Sequence, residues 1–120
     1  MPSPAEIVEQ YFDAWTSKDF ETARSLLRDD LSFVGPIERV DNADALIESL
    51  KMLSQVVTGA ERRGVLSDGE RVAVVYDLHT VPVPDSRVAE WYTVQEGKIA
   101  TAEAFFDARP FAAMFEQQSA

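Results

Sequence analysis

The sequence predicts an α+β domain: three helices in the N-terminal half and an antiparallel sheet supplied mainly by the C-terminal half. Three observations predict it. From Arg71 to Asp107, RVAVVYDLHTVPVPDSRVAEWYTVQEGKIATAEAFFD reads as three long strands crowded with the β-branched and aromatic residues that suit a pleated, half-buried surface. Two turns, Pro82-Val83-Pro84-Asp85-Ser86 and Gln95-Glu96-Gly97-Lys98, fold these strands back on each other, and strands so joined pair antiparallel. Before the meander, apolar residues recur at helical rather than alternating spacing. At 120 residues the chain suits one domain, 1–120, able to bury ~65% of its unfolded surface in a single core.

In order, Ser3-Pro4-Ala5-Glu6 is a capping box with proline at the first helical position. Ile7, Val8, Tyr11, Phe12 and Trp15 then give one broad apolar face. Thr16-Ser17-Lys18 breaks the pattern, and Asp19 caps a shorter helix with Phe20, Ala23, Leu26 and Leu27 inward, ended by Asp29-Asp30. Leu31–Val34 reads as a short strand stopped by Gly35-Pro36. Asp41 caps a third helix, with Leu46, Ile47, Leu50, Leu53 and Val57 as its stripe. Thr58 to Leu66 is a further strand, closed by the turn Ser67-Asp68-Gly69-Glu70. After the meander, Ala108 to Phe115 returns to helical character, and residues 116–120 form a polar, fraying tail.

Composition removes whole classes of function. A net charge of −10 repels nucleic-acid and membrane phosphates, and no Lys/Arg stripe offers a local exception. No apolar run reaches the ~18 residues of a transmembrane helix, and the N-terminus lacks the basic-then-apolar order of a signal peptide. Cysteine is absent, which rules out disulfides, thiolate metal sites and cysteine nucleophiles and accords with a cytoplasmic location. One histidine cannot make a multi-histidine metal site, and nucleotide fingerprints and hydrolase elbows are missing. Cofactor-free, metal-free acid–base chemistry is the class of catalysis left convenient.

Several stretches carry a resemblance: YFDAW on the first helix, DNADALIESL on the third, the entry DGERVAVVY and the exit VQEGKIATAEAFFDARPF. Together they resemble the nuclear transport factor 2-like superfamily, closest to its SnoaL-like and ketosteroid-isomerase-like members, over roughly Glu6 to Phe115. The resemblance implies a cone-like half barrel of curved sheet closed by the helices, an apolar pocket with a few polar groups, and a homodimer formed through the outer sheet face. Members include isomerases, cyclases, dehydratases and epoxide hydrolases. Ketosteroid isomerases keep an aspartate base just after the first strand, where LSFVGPIE has Gly35 or Pro36. Their oxyanion donors, a tyrosine on the first helix and an acid on the penultimate long strand, fall nearest Tyr11 and Glu90. The Asp-Arg-Asp set of the epoxide hydrolases is loosely echoed by Asp77 and Arg87. The pocket lining implied is Trp15, Phe33, Leu53, Tyr76, Val88 and Phe106.

Four residues stand out as catalytic candidates. His79 is the only side chain with an unperturbed pKa near neutrality, a natural general acid or base if it faces the pocket and an exposed or interface histidine near a hairpin tip if it does not. Glu90, between Ala89 and Trp91, would have a raised pKa if desolvated, and would be a surface carboxylate otherwise. Asp107 sits where a helix cap or a pocket acid would fit. Tyr11, or Tyr76, would donate to a developing oxyanion. Alternation leaves open whether Val72, Val74, Tyr76, Leu78 and Thr80 face inward, or Ala73, Val75, Asp77, His79 and Val81. Two functions fit: a cofactor-independent isomerase, cyclase or dehydratase acting on a small apolar carbonyl compound, or a non-catalytic ligand-binding or dimerisation module.

Overall fold

A computed structural model describes residues 2–81, 83 and 85–111. Helix α1 spans Pro4–Thr16, α2 Phe20–Ser25 and α3 Ala43–Ser54. The strands are β1 Leu27–Val34, β2 Arg39–Val40, β3 Val57–Asp68, β4 Arg71–Thr80, β5 Ser86–Gln95 and β6 Lys98–Phe105. They form one six-stranded sheet in the order β2-β1-β6-β5-β4-β3, open rather than closed into a barrel. Three helices against one curved sheet give the α+β architecture expected. No described helix is long and apolar enough to cross a membrane.

Each helix starts for a local chemical reason. The Ser3 hydroxyl accepts from the Glu6 amide at 3.2 Å while the Glu6 carboxylate reaches back to Ser3, completing the capping box. Asp19 accepts from the Thr22 amide and caps α2. Asn42, not Asp41, caps α3, accepting from the Ala45 amide at 2.8 Å. Adjacent Asx residues are equally competent caps, so only the path of the chain decides between them.

The sheet departs from an all-antiparallel arrangement in one place. β1 runs parallel to β6, with Leu27 opposite Ile99 and Phe33 opposite Ala102. Hairpin logic governs consecutive strands, whereas β1 joins the sheet after the chain has crossed through α3 and returned by three hairpins. β1 also begins earlier than its sequence suggested. Leu26 caps α2, Leu27 is fully buried, and Asp29 and Asp30 lie on the strand, where Arg24 and Arg28 hold them. β2 was not anticipated; it pairs with β1 for two residues. Val57 opens β3 instead of extending the stripe of α3. The β5–β6 hairpin closes through Glu96-Gly97, both with positive φ, a combination for which glycine at the second position is the usual solution. Of the expected Ala108–Phe115 helix, residues 109–111 are helical and Ala108 is not; residues 112–115, the polar tail, Pro82 and Pro84 lie outside the described residues.

The core forms where α1 lies across the inner sheet face. Ile7, Val8, Tyr11, Phe12 and Trp15 pack with Val72, Val74, Tyr76, Leu78, Tyr92 and Val94. That settles the alternation of β4: the Val72–Thr80 set is buried and faces the helices. Fully burying side chains such as Leu27 and Ile99 stabilises by roughly 1.5–3 kcal/mol each. Register shifts at Arg62/Gly64 in β3 and Thr93/Val94 between β5 and β6 mark bulges, which bend a sheet and here help it wrap the helices.

Candidate functional site

A cavity of about 470 Å³ lies between the inner sheet face and the helices. α1 contributes Tyr11 and Trp15, and α3 contributes Leu46, Leu50 and Leu53. β1 adds Phe33, the central strands add Tyr76, Leu78, Val88, Glu90 and Ala104, and Phe106 and Phe111 complete the wall. The wall is mostly apolar, and its volume lies within the range of small-molecule sites.

Glu90 is the deep polar group. On β5, Val88, Glu90, Tyr92 and Val94 point inward while Ala89, Trp91 and Thr93 point out. Its cross-strand partners are Val74 and Ala104, and the methyl of Ala104 leaves that side of the carboxyl uncovered toward the cavity. All three tyrosines of the chain gather around it. The Tyr92 hydroxyl donates to Glu90 Oε1 at 2.9 Å. Tyr76, diagonal to Glu90 across β4 and β5, hydrogen-bonds to the same carboxyl. The Tyr11 ring meets Tyr92 edge-on, with centroids 6.0 Å apart.

Burial pushes the Glu90 pKa up, and the hydrogen bonds from Tyr92 and Tyr76 oppose that rise only in part. Burial, reinforced by the negative charge of Glu90, holds all three phenols well above their ordinary range. They therefore remain protonated donors at any working pH. A carboxyl that keeps its proton to higher pH than an exposed one thus sits beside permanent donors in an apolar space.

The other two candidate acids and bases are elsewhere. His79 is on the outer face of β4, its ring between Asp85 and Glu61. With Leu78 and Thr80 turned inward, alternation puts His79 outside, so a general-base role in the cavity is corrected. The hydrogen bond to Asp85 raises its pKa. Asp107 accepts from the Arg109 amide at 3.0 Å and pairs with the Arg109 guanidinium, which pulls its pKa down to about 2. It caps the start of the terminal helical turn and does not line the cavity, so the pocket role is corrected in favour of the cap. Asp77 is also outside, clamped by Arg63 and Arg87. Trp15, Phe33, Leu53, Tyr76, Val88 and Phe106 all lie on the cavity wall.

Three polar wall residues escaped sequence reasoning: Ser49 on α3, Gln55 just after it, and Glu38. Glu38 stands at the cavity mouth, where Ser49 of α3 donates to its Oε2 at 3.0 Å. It lies in the four-residue turn between β1 and β2, which is closed by the Gly35 amide donating to the Glu38 carbonyl at 2.9 Å. The signal available was an acid two residues beyond Gly35-Pro36; its return to the mouth depends on β2, which two residues of sequence could not announce. A second cavity of about 270 Å³ near Lys18 carries hydroxyls of Thr16, Ser54 and Thr58 that all donate to backbone carbonyls.

Residues 8–102 match the model of the SnoaL-like domain. The chain belongs to the SnoaL-like family. Its fold is that of the nuclear transport factor 2-like superfamily. A Kribbella flavida DSM 17836 protein, described only as being of known function, is 30% identical, with a TM-score of 0.87 and coverage of 96% of this chain and 95% of that one. A nuclear transport factor 2-like protein of unknown function from Cytophaga hutchinsonii ATCC 33406 is 17% identical, with a TM-score of 0.84 and coverage of 93% and 96%. An LEH-like epoxide hydrolase from M. tuberculosis is 20% identical, with a TM-score of 0.76 and coverage of 95% and 96%. No curated protein matches the sequence.

Proposed function

We propose that this SnoaL-like domain takes a small apolar carbonyl compound into its cavity and moves a proton on it without a cofactor. The observation that carries this reading is the single deep carboxyl, Glu90, set on an apolar wall and ringed by tyrosines. In the ionised form Glu90 removes a proton from the carbon beside the carbonyl. The C–H electron pair becomes the enolate double bond and the carbonyl π pair moves onto the oxygen, which accepts a hydrogen bond from Tyr11 on the wall, Tyr76 being free to donate there only when its bond to Glu90 is given up. Protonated Glu90 then returns the proton at a second carbon, giving isomerisation, or to a leaving hydroxyl, giving dehydration. A raised pKa suits a group that must both take and give a proton.

Hydrolysis in the manner of the epoxide hydrolase relative is less well supported, because Asp77 and Arg87 form an ion pair on the outer face. The competing reading is a binding module without chemistry. It draws on the outward placement of His79 and Asp107, which leaves one deep proton-handling carboxyl, and on the absence of an acid at Gly35 and Pro36. We also propose that the protein pairs with a second copy through the outer sheet face, where Leu66, Trp91 and Phe105 are exposed.

A panel of apolar cyclic ketones, followed for binding by calorimetry and for deuterium exchange from solvent by NMR, tests the reading. Wild type should wash deuterium into a bound ketone, and Glu90→Gln should slow exchange by about 10²–10⁴-fold while still binding. Binding with no exchange in the wild type would establish the binding module instead.

A further inference from the structure

We infer that the preferred ligand carries a protonated amine at its outer end, held at the cavity mouth by Glu38 and the ring of Phe33. This inference rests on the reading above and names the charge of the compound that the cavity takes. It begins with an asymmetry in the wall. The cavity carries two carboxyls, Glu90 deep and Glu38 at the mouth. Every lysine, every arginine and the one histidine of the chain lie among the described residues, and none of them lines the cavity. A ligand carboxylate or phosphate would therefore meet carboxyl groups with no compensating cation. A chain of net charge −10 adds a long-range field of the same sign, repelling anions and drawing cations toward the opening.

The mouth is also built to hold a cation. Among the described residues Glu38 has no ion-pair partner; its side-chain hydrogen bond is from the Ser49 hydroxyl, which uses one carboxylate oxygen and leaves the other open. The turn that carries it is closed by the Gly35-to-Glu38 backbone hydrogen bond. The ring of Phe33 lies against that same turn: a Cβ placed on Gly35 would come within 3.3 Å of its Cε1 and Cζ atoms and 3.7 Å of the Glu38 carbonyl. Glycine at position 35 thus lets the Phe33 ring lie against the turn that carries Glu38, and both side chains line the cavity. A positive charge that reaches an aromatic ring and a carboxylate on one wall gains from both. The aliphatic and aromatic wall behind them, from Leu53 to Phe106, suits the rest of an amphipathic amine.

Three probes of matched shape test this: 3,3-diphenylpropylamine, 3,3-diphenylpropan-1-ol and 3,3-diphenylpropionic acid, titrated calorimetrically into wild type and Glu38→Gln at neutral pH. The amine should bind wild type about 5- to 30-fold more tightly than the alcohol, and the acid should be the weakest. In Glu38→Gln, whose amide still accepts from Ser49, the amine-to-alcohol ratio should fall to near one, with an unchanged melting temperature showing that the fold is intact. Phe33→Leu should lower the ratio less. An alcohol that binds as well as the amine, an acid that matches the alcohol, or an amine preference that persists in Glu38→Gln would overturn the inference and leave the pocket reading standing. Failure of all three probes to bind wild type would overturn both.

Discussion

The Tyr92 hydroxyl donates to Glu90 Oε1 at 2.9 Å from two positions along the same strand, so one side chain of β5 solvates another inside an apolar core. Removing the donor strips the carboxyl of a hydrogen bond that favours its ionised form. Tyr92→Phe should therefore push the Glu90 pKa higher still and cost about 1–3 kcal/mol of stability at pH 8, with a smaller cost at pH 5. Urea unfolding of the variant at both pH values checks this, and an equal cost at the two would contradict it.

The same carboxyl sets a pH dependence with a definite sign. A raised folded-state pKa means that the native protein binds more protons than the unfolded chain between the ordinary glutamate value and the raised one. The contribution of Glu90 to stability is thus fully present below the ordinary value and is lost as pH rises through the raised one. Glu90→Gln should flatten that part of the stability–pH curve and gain relative to wild type as pH increases. Chemical denaturation from pH 4 to 9 would reveal the difference curve.

His79, corrected to the outer face, is still informative because it is the only histidine and gives a single imidazole signal. Its NMR titration midpoint should lie above the ordinary histidine value, owing to Asp85, with Glu61 adding to the effect. Its stabilising effect is present below the ordinary value and disappears as pH rises through the elevated one. Asp85→Asn should lower the midpoint; an unmoved midpoint would mean that the Asp85 contact is not maintained in solution.

The exposed apolar row on the outer face predicts self-association. Light scattering after gel filtration should report twice the mass of one chain, and Phe105→Arg should return it to a single chain with an unchanged circular dichroism spectrum. A wild-type monomer at micromolar concentration would count against the proposed pairing.

How much of this was legible in the sequence varies with the range of the interaction. Caps, helix faces and hairpin turns are written within a few residues, so the Ser3–Glu6 box, the α1 face and the Glu96-Gly97 turn were readable. The inward side of Glu90 came from the family resemblance, since alternation alone left it either a desolvated acid or a surface carboxylate. The face of β4 was not readable, since Asp77 and Tyr76 look equally plausible as inward residues until their cross-strand partners are known. Arg63 and Arg87 decide it by giving Asp77 an ionic partnership on the outside. Glu38 and the parallel seat of β1 depend on contacts far apart in the chain, and no local pattern encodes them.

That parallel seat has a consequence for how the protein is made. Leu27 finds its partner at Ile99, so a strand that leaves the ribosome early has no neighbour on that side until the last described strand has been synthesised. The β3–β6 hairpins can assemble by short closures, whereas docking β1 requires one long loop to close. Half of the mouth, Phe33 and Glu38 included, is therefore set last. In stopped-flow kinetics, Leu31→Ala should mainly speed unfolding, whereas Val74→Ala should mainly slow refolding.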